Sequence, residues 1–165
     1  MASELELQQA IDKYASEVRK ICFIQCKSEA DVDDIFQTVF IKYFERKESF
    51  IDEQHEKAWI IRVTINACHD IFRSWFYQKA VLTDDFSQFS IETKSNDGRL
   101  IEAVRKLKPN LKNAIYLYYY EGYAIKEIAE IVKANEHTVS TWLVRGRKEL
   151  KKMLGGDFLE EDETA

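Results

Sequence analysis

Proline and glycine are scarce in this sequence, with one proline and five glycines among 165 residues. Because both residues favour turns and interrupt regular structure, their scarcity indicates long helices with few connections. Hydrophobic residues make up 45% of the chain and aromatic residues 13%, which excludes a chain that is disordered overall. The alternation of polar and apolar residues that is typical of strands is missing throughout. We therefore predict an all-α fold.

Long apolar runs are also missing, since none approaches the roughly 20 residues that a membrane-spanning helix needs. The first residues, MASELELQQAIDKY, are acidic and polar and lack the features of a signal peptide. We therefore expect a cytoplasmic protein without membrane insertion. A chain of this length allows one domain or two small domains of roughly 70 residues each.

Cysteine and histidine occur only three times each. An odd number of cysteines in such a chain argues against a disulfide framework. Cys22 and Cys26 lie four residues apart and, with His69, suggest a metal site. Because no second closely spaced pair of ligands follows, plain burial of the cysteines is the favoured interpretation. No nucleophile elbow, phosphate-binding loop or metal-spaced cluster is recognisable, so we expect no catalysis, no metal and no cofactor.

Basic residues are outnumbered by acidic residues overall, 24 to 29, but they are concentrated in one part of the chain. The net charge is −5, whereas residues 99–156 contain 12 basic and six acidic residues, a net charge of +6. Residues 1–80, residues 81–98 and the tail 157–165 are all acidic, with net charges of −3, −3 and −5. A basic module is compatible with nucleic-acid binding despite the acidic whole. For the tail, we favour a solvated segment over one that screens the basic module.

Apolar residues recur at helical spacing through most of the chain. In residues 1–80 they predict three helices that pack as a small bundle: one over about 4–26, one capped by Ser28, and one over about 56–78, with the loop KESFIDEQHEK before the third. Residues 81–98 have weak periodicity and are predicted to be a linker. A short helix follows, then one from Pro109 to a left-handed cap at Gly122, and then two final helices.

The last two helices, joined by about three residues, are a candidate helix–turn–helix. Asn135 is placed to cap the second helix, whose apolar stripe includes Val139, Leu143 and Leu150. The predicted DNA contacts on this helix are His137, Thr138, Ser140, Thr141, Trp142, Arg145, Arg147 and Lys148. Small polar groups near its start can approach base edges, and basic groups farther on can meet phosphates. The alternative is a packed helical hairpin with a solvated basic face.

The order of these features resembles the extracytoplasmic-function sigma factors, small bacterial members of the sigma-70 family. The segments DVDDIFQTVFIKYFERKESF and KAWIIRVTINACHDIFRSW look like two helices of the family's region two. The segments YYYEGYAIKEIAEI and TVSTWLVRGRKEL are similar to region four. The resemblance covers about residues 8–154 and implies two small helical domains: region two in residues 1–80 and region four in residues 99–156.

The resemblance implies a factor that binds core RNA polymerase and directs promoter-specific initiation of transcription. In the family, region two binds the clamp helices of the β′ subunit and reads the minus-ten element as single strand. Region four grips the flap of the β subunit and reads the duplex minus-thirty-five element. An anti-sigma factor often holds such proteins inactive. The implied partners are therefore core RNA polymerase, promoter DNA and an anti-sigma factor.

Two groups of residues in the first half are candidates for these contacts. Carboxylates and an amide suit a basic partner surface, and melted bases need aromatic surfaces with nearby cations. The expected polymerase contacts are Asp31, Asp34, Gln37 and Phe40. The expected minus-ten contacts are Phe50, His55, Trp59, Arg62, Asn66 and Arg73. The acidic residues could instead be a solvated first turn that favours the helix by itself, and Trp59 could belong to the core.

The sequence also departs from the family pattern in the candidate recognition helix. Ser140 and Trp142 stand where Lys and Arg are common, and tryptophan cannot make the bidentate contact to guanine that arginine makes. The turn Lys133-Ala134-Asn135 lacks the usual glycine, although asparagine tolerates left-handed angles. The second interpretation is therefore a sigma-like regulator that binds DNA or a partner without initiating transcription. A dimeric helix–turn–helix repressor would need a dimerisation element, and none is visible.

Overall fold

The computed structural model of the protein describes residues 1–78 and 97–155. All regular structure in these residues is helical, which confirms the predicted all-α fold, and the chain divides into two compact units, Met1–Ile91 and Glu92–Ala165. The described helices of the first unit are α1 (Glu4–Gln25), α2 (Glu29–Glu45) and α3 (Glu53–Gln78). Those of the second are α4 (Asp97–Arg105), α5 (Pro109–Ile115), α6 (Ile125–Val132) and α7 (Glu136–Leu154).

Two predicted segments fall mostly or wholly on residues that are not described. Of the predicted linker, 81–98, only residues 97 and 98 are described, and they begin α4. The acidic tail, 157–165, lies outside the described residues. In the part of the chain that is described, none of the helices has the length and apolar character to cross a lipid bilayer.

In the first unit, each of the three helices packs against the other two around an apolar core. Val18, Ile35, Val39 and Ile60 are almost completely shielded from solvent. Their spacing along each helix places them on one face, as the sequence predicts. Burial of a side chain of this size contributes roughly 1.5 to 3 kcal/mol, so these contacts dominate the stability of the unit.

The helix starts in the first unit are set by short polar side chains. The hydroxyl of Ser28 accepts a hydrogen bond from the backbone N–H of Asp31 at 3.3 Å, as predicted. The start of α3 differs from the prediction, because the helix begins at Glu53 and not near residue 56. The carboxylate of Asp52 accepts from the N–H of His55 at 2.8 Å, which is the N-cap contact that starts the helix early and shortens the loop.

In the second unit, α5 continues into a π-helical turn, Tyr116–Tyr120, and ends near Gly122, whose φ of 77° confirms the predicted left-handed cap. Helix α7 packs closely against α5 at Gly146. A Cβ atom at Gly146 would lie 2.7 Å from Cγ1 of Ile115, so only glycine allows the two helices this approach.

The turn between α6 and α7 forms with a different residue in the left-handed region from the one expected. Lys133 has φ 56° and ψ 51°, whereas Asn135 is extended with φ −86°. The residue directly after the helix must reverse the chain so that the N–H of Ala134 can reach the carbonyl oxygen of Ala129 at 3.0 Å. Asn135 instead caps α7, since its side chain accepts from the N–H of Thr138 at 2.7 Å. The predicted cap at Asn135 is confirmed, and the residue in the left-handed conformation is Lys133.

Candidate nucleic-acid interface

The outer face of α7 is the first candidate surface. His137, Arg145 and Lys148 are exposed and lie opposite the buried stripe, as the helical spacing predicts. Ser140 and Thr141 are half-buried between them. Thr138, also half-buried, lies in the first turn, where its N–H is bonded by the Asn135 cap. The face therefore presents small polar groups near the start of the helix and cations one or two turns later.

Thr141 is constrained in how it can meet a base. Its hydroxyl donates a hydrogen bond to the carbonyl oxygen of His137 at 3.0 Å. Because the single hydroxyl proton is used inside the helix, the side chain can offer only an acceptor oxygen and a methyl group outward. Such a group suits base amino donors and thymine methyls better than guanine acceptors.

Two of the predicted contacts lie on the flanks of α7. Arg147 is half-buried, and its Nη1 donates to the hydroxyl of Tyr119 at 3.1 Å. Trp142 lines a cavity of about 740 Å³ between α7 and the connection from α4 to α5, with Pro109 and Met153 also in its wall. Arg145 and Lys148, on the same helix, also line it. Arg147 thus stabilises the unit, and Trp142 faces a cavity lined by both apolar and basic side chains.

The second candidate surface lies where the loop between α2 and α3 meets α3. The ring centroid of Phe50 lies 5.3 Å from that of His55 and 5.6 Å from that of Trp59, both in edge-to-face orientation. The Nδ1 atom of His55 accepts from the N–H of Ile51 at 3.0 Å, which fixes the loop over the helix start. Trp59 is half-buried and also contacts Tyr43, so it serves the core on one side and is accessible on the other.

The remaining minus-ten candidates extend this surface along α3. Trp59, Arg62, Asn66 and Arg73 follow one another at intervals of three, four and seven residues, which places them on one face of the helix. Asn66 and Arg73 are exposed and Arg62 is half-buried. Arg73 is paired with Asp70 at 2.8 Å in an exposed ion pair, which costs little to exchange for another anion.

Two residues beside this cluster were not found from the sequence. The guanidinium of Arg46 lies 4.2 Å from the ring centroid of Tyr43 and 4.4 Å from that of Phe50. The carboxylate of Glu56 accepts from the hydroxyls of Tyr14 and Tyr43, both at 2.8 Å. Burial, followed by the hydrogen bond to Glu56, raises the pKa of Tyr43 to about 12. The sequence signal for Glu56 was the tyrosines themselves, since a buried tyrosine hydroxyl requires a hydrogen-bond partner.

The four expected polymerase contacts on α2 differ in exposure. Asp34 and Gln37 are exposed. Asp31 is half-buried, and its Oδ2 atom is shielded from solvent. Phe40 is only 5% exposed and packs on Phe36 with ring centroids 4.8 Å apart. A partner docking on this helix would meet Asp34 and Gln37 directly, whereas Phe40 holds the helix in the core.

The sequence models of known families match both units. The model of sigma-70 region 2 matches residues 10–75, and the model of sigma-70 region 4 matches residues 97–150. Together the two matches cover most of the chain, with region 2 before region 4, as the resemblance implies. The chain belongs to the sigma-70 family. Several curated relatives of this sigma-70 chain are ECF RNA polymerase sigma factors, which confirms the predicted resemblance.

The relatives are distant in sequence. RNA polymerase sigma factor SigZ of Bacillus subtilis is 24% identical over 156 residues, covering 92% of this chain and 89% of SigZ. ECF RNA polymerase sigma factor BldN of Streptomyces coelicolor is 22% identical over 156 residues, covering 88% of this chain but only 59% of BldN. The sigma factor RpoE of Bartonella quintana, solved with the anti-sigma factor NepR, has a TM-score of 0.77 at 18% identity. That comparison covers 92% of this chain and 98% of RpoE, and it shows a shared fold.

Proposed function

We propose that this protein is a sigma factor that binds core RNA polymerase and directs promoter-specific initiation of transcription. The observation that carries the proposal is the pair of matches to sigma-70 regions 2 and 4, one in each unit. We assign residues 1–80 to region two, 81–98 to the linker, 99–156 to region four and 157–165 to an acidic tail. Members of this family are initiation factors that act in the cytoplasm with the polymerase, and we infer no catalytic role.

In region four, α7 is the element that reads the minus-thirty-five duplex. The exposed cations Arg145 and Lys148 are suited to phosphates, because a phosphate contact requires charge and reach but no base-specific geometry. His137, Ser140 and Thr141 are left for base edges. The internal hydrogen bond of Thr141 supports an element read through base amino groups and thymine methyls. Such contacts are weaker than bidentate contacts from arginine to guanine. Recruitment by the polymerase compensates for the low affinity of α7 alone.

In region two, the surface formed by Phe50, His55, Trp59 and the outer face of α3 is the element that holds melted minus-ten bases. The cluster of aromatic rings at the loop gives a flipped base an apolar wall. Arg62 and Arg73 lie along the same face and are suited to the strand's phosphates. The arrangement favours single-stranded DNA, since stacking surfaces of this kind are unavailable to paired bases.

Partner binding is assigned to both units. Asp34 and Gln37, exposed near the start of α2, are proposed to meet the clamp helices of the β′ subunit. The second unit is proposed to grip the flap of the β subunit. Because the similar RpoE was solved with the anti-sigma factor NepR, we infer that an anti-sigma factor also binds this protein and covers its polymerase-binding faces.

The test is reconstituted transcription with core RNA polymerase of the source organism, this protein and fragmented genomic DNA. Transcripts should start at discrete sites only when the protein is present, and the aligned upstream sequences should contain two elements at constant spacing. A folded sample that fails to bind core polymerase would refute the proposal. Binding to polymerase without any transcript would favour a sigma-like regulator. A palindromic footprint by the protein alone would favour a dimeric repressor.

A further inference from the structure

The core of the first unit contains all three cysteines in one cluster. Cys22 lies in the last turn of α1, Cys26 directly follows the helix as its C-cap residue, and α3 contributes Cys68. The three Sγ atoms all lie within 4.8 Å of one another. The exposed fractions of Cys22, Cys26 and Cys68 are 0%, 5% and 4%. Burial is what the sequence predicts for each of them, but burial alone does not require that the three sulfur atoms converge.

The spacing of the sulfur atoms is close to that of a metal site. Zinc binds thiolates at about 2.3 Å, so the sulfur atoms of a tetrahedral site lie about 3.8 Å apart. Small rotations about the Cα–Cβ bonds can close the remaining difference, because the N–H of Cys26 is bonded to the carbonyl oxygen of Cys22 at 2.7 Å and this cap holds the two residues together. Three thiolates also select soft or borderline ions such as zinc over magnesium or calcium.

A second observation beside the cluster points to a cation. The Oδ2 atom of Asp31, at the start of α2, is shielded from solvent and has no hydrogen-bond partner. Asp31 is close enough to Cys26 to interact with it electrostatically. A buried carboxylate oxygen without a donor is costly, and a direct bond to a metal ion held by the cysteines would satisfy it.

We propose that Cys22, Cys26 and Cys68 form a binding site for one zinc-like, thiophilic divalent metal ion per chain. On binding, the ion forms three metal–sulfur bonds and releases three thiol protons to solvent, so the site changes from neutral to a net charge of −1. No group is oxidised or reduced. The fourth ligand position is taken by water or, if the first turn of α2 moves towards the sulfur atoms, by the Asp31 carboxylate. The ion fastens α1 to α3 and supports the start of α2.

The test uses the full chain, purified metal-free under reducing conditions. Zn²⁺ is titrated in competition with a chromophoric chelator, and one ion per chain should bind with a sub-micromolar dissociation constant. Cys68→Ser should weaken binding at least about tenfold. Ala67→Ser is the matched control, since it adds the same hydroxyl to the neighbouring buried position and should leave binding unchanged. Zn²⁺ should raise Tm for the unaltered chain and for the control, but not for Cys68→Ser.

A readout that needs no variant keeps the proposal falsifiable if Cys68→Ser does not fold. Co²⁺ bound to thiolates gives an intense sulfur-to-metal charge-transfer absorption, and bound metal should protect all three cysteines from alkylation. Absence of this absorption in the folded, reduced chain, or Zn²⁺ binding that does not alter alkylation, would overturn the site. A disulfide to Cys68 formed under mild oxidation, with no metal binding in the reduced form, would also overturn it. None of these measurements depends on polymerase or promoter DNA.

Discussion

Arg147 donates a hydrogen bond to the hydroxyl of Tyr119, which joins α7 to the π-helical turn after α5 across 28 residues of sequence. We expect Tyr119→Phe to lower the free energy of unfolding of the second unit by about 1 kcal/mol, the usual value for one such bond. Urea denaturation measures this. Tyr118→Phe is the control, and its effect should be smaller. If Tyr119→Phe instead lowers DNA affinity without lowering stability, Arg147 acts mainly at the interface.

Arg145 and Thr141 should differ in what their loss does to promoter binding. In the polymerase complex, Arg145→Ala should weaken all minus-thirty-five sequences alike and reduce the slope of log affinity against log salt by about one. Thr141→Val keeps the methyl group and removes the acceptor, so it should alter preference at one base pair while the salt slope is unchanged. Binding to a library of minus-thirty-five sequences at several salt concentrations distinguishes the two. The reverse pattern would mean that the opposite part of the face meets the bases.

Lys133, in the left-handed region at the end of α6, is expected to be a site where glycine stabilises the fold. A residue with a Cβ atom pays roughly 1 kcal/mol in this conformation, and glycine does not. Lys133→Gly should therefore raise the free energy of unfolding by up to about 1 kcal/mol. Lys133→Ala removes the charge but keeps the Cβ atom, and should leave stability nearly unchanged. Equal stabilisation by both variants would assign the effect to charge.

Gly146 should be intolerant of any side chain. Gly146→Ala places a Cβ atom 2.7 Å from Cγ1 of Ile115, and we expect a loss of about 1 to 3 kcal/mol. Gly98→Ala is the matched control, because nothing lies within 4 Å of a Cβ atom at that helical position. The control should be neutral or slightly stabilising, since alanine favours helix. Thermal denaturation of the two variants makes the comparison.

Tyr43 should make the first unit sensitive to alkaline pH. Its pKa is raised to about 12 by burial and by the hydrogen bond to Glu56, from 10 in the unfolded chain. The folded state therefore holds this proton more tightly. The stability it contributes is complete below pH 10 and is lost as the pH rises towards 12. The loss is up to about 3 kcal/mol. Tyr43→Phe has no proton to lose there, so between pH 10 and 12 it should lose less stability than the unaltered chain.

The local parts of the fold were predictable from the sequence. Ser28 and Asn135 each cap a helix through a hydrogen bond to a residue three positions later, Pro109 is the first residue of another helix, and each was identified at its place. The family was also identified, because its two motifs occur in order. The start of α3 was placed too late, although its capping contact from Asp52 to His55 is just as local. That cap lies in a loop that contains two apolar residues, and these obscured the sequence pattern of a helix start.

The parts that were not predicted depend on contacts between distant segments. Cys68 lies 42 residues from Cys26 along the chain, and only the packing of α1 on α3 brings their sulfur atoms together. The tyrosine pair on Glu56 has the same origin. Periodicity specifies which face of a helix is buried but not which residues of another helix it meets. Long-range side-chain pairs of this kind therefore required the structure.

The close approach of α7 to α5 at Gly146 also fixes how far the outer face of α7 projects from the protein. Gly146 lies on the inner side of α7, directly between Arg145 and Arg147 in sequence, and Ile115 is its neighbour. The depth to which α7 enters a DNA groove is thus set by a packing contact on the inner side of the helix, which does not touch a base. Larger residues at this position would push the whole helix outward as one body, so affinity for every promoter would change together while the order of preference among them would stay the same.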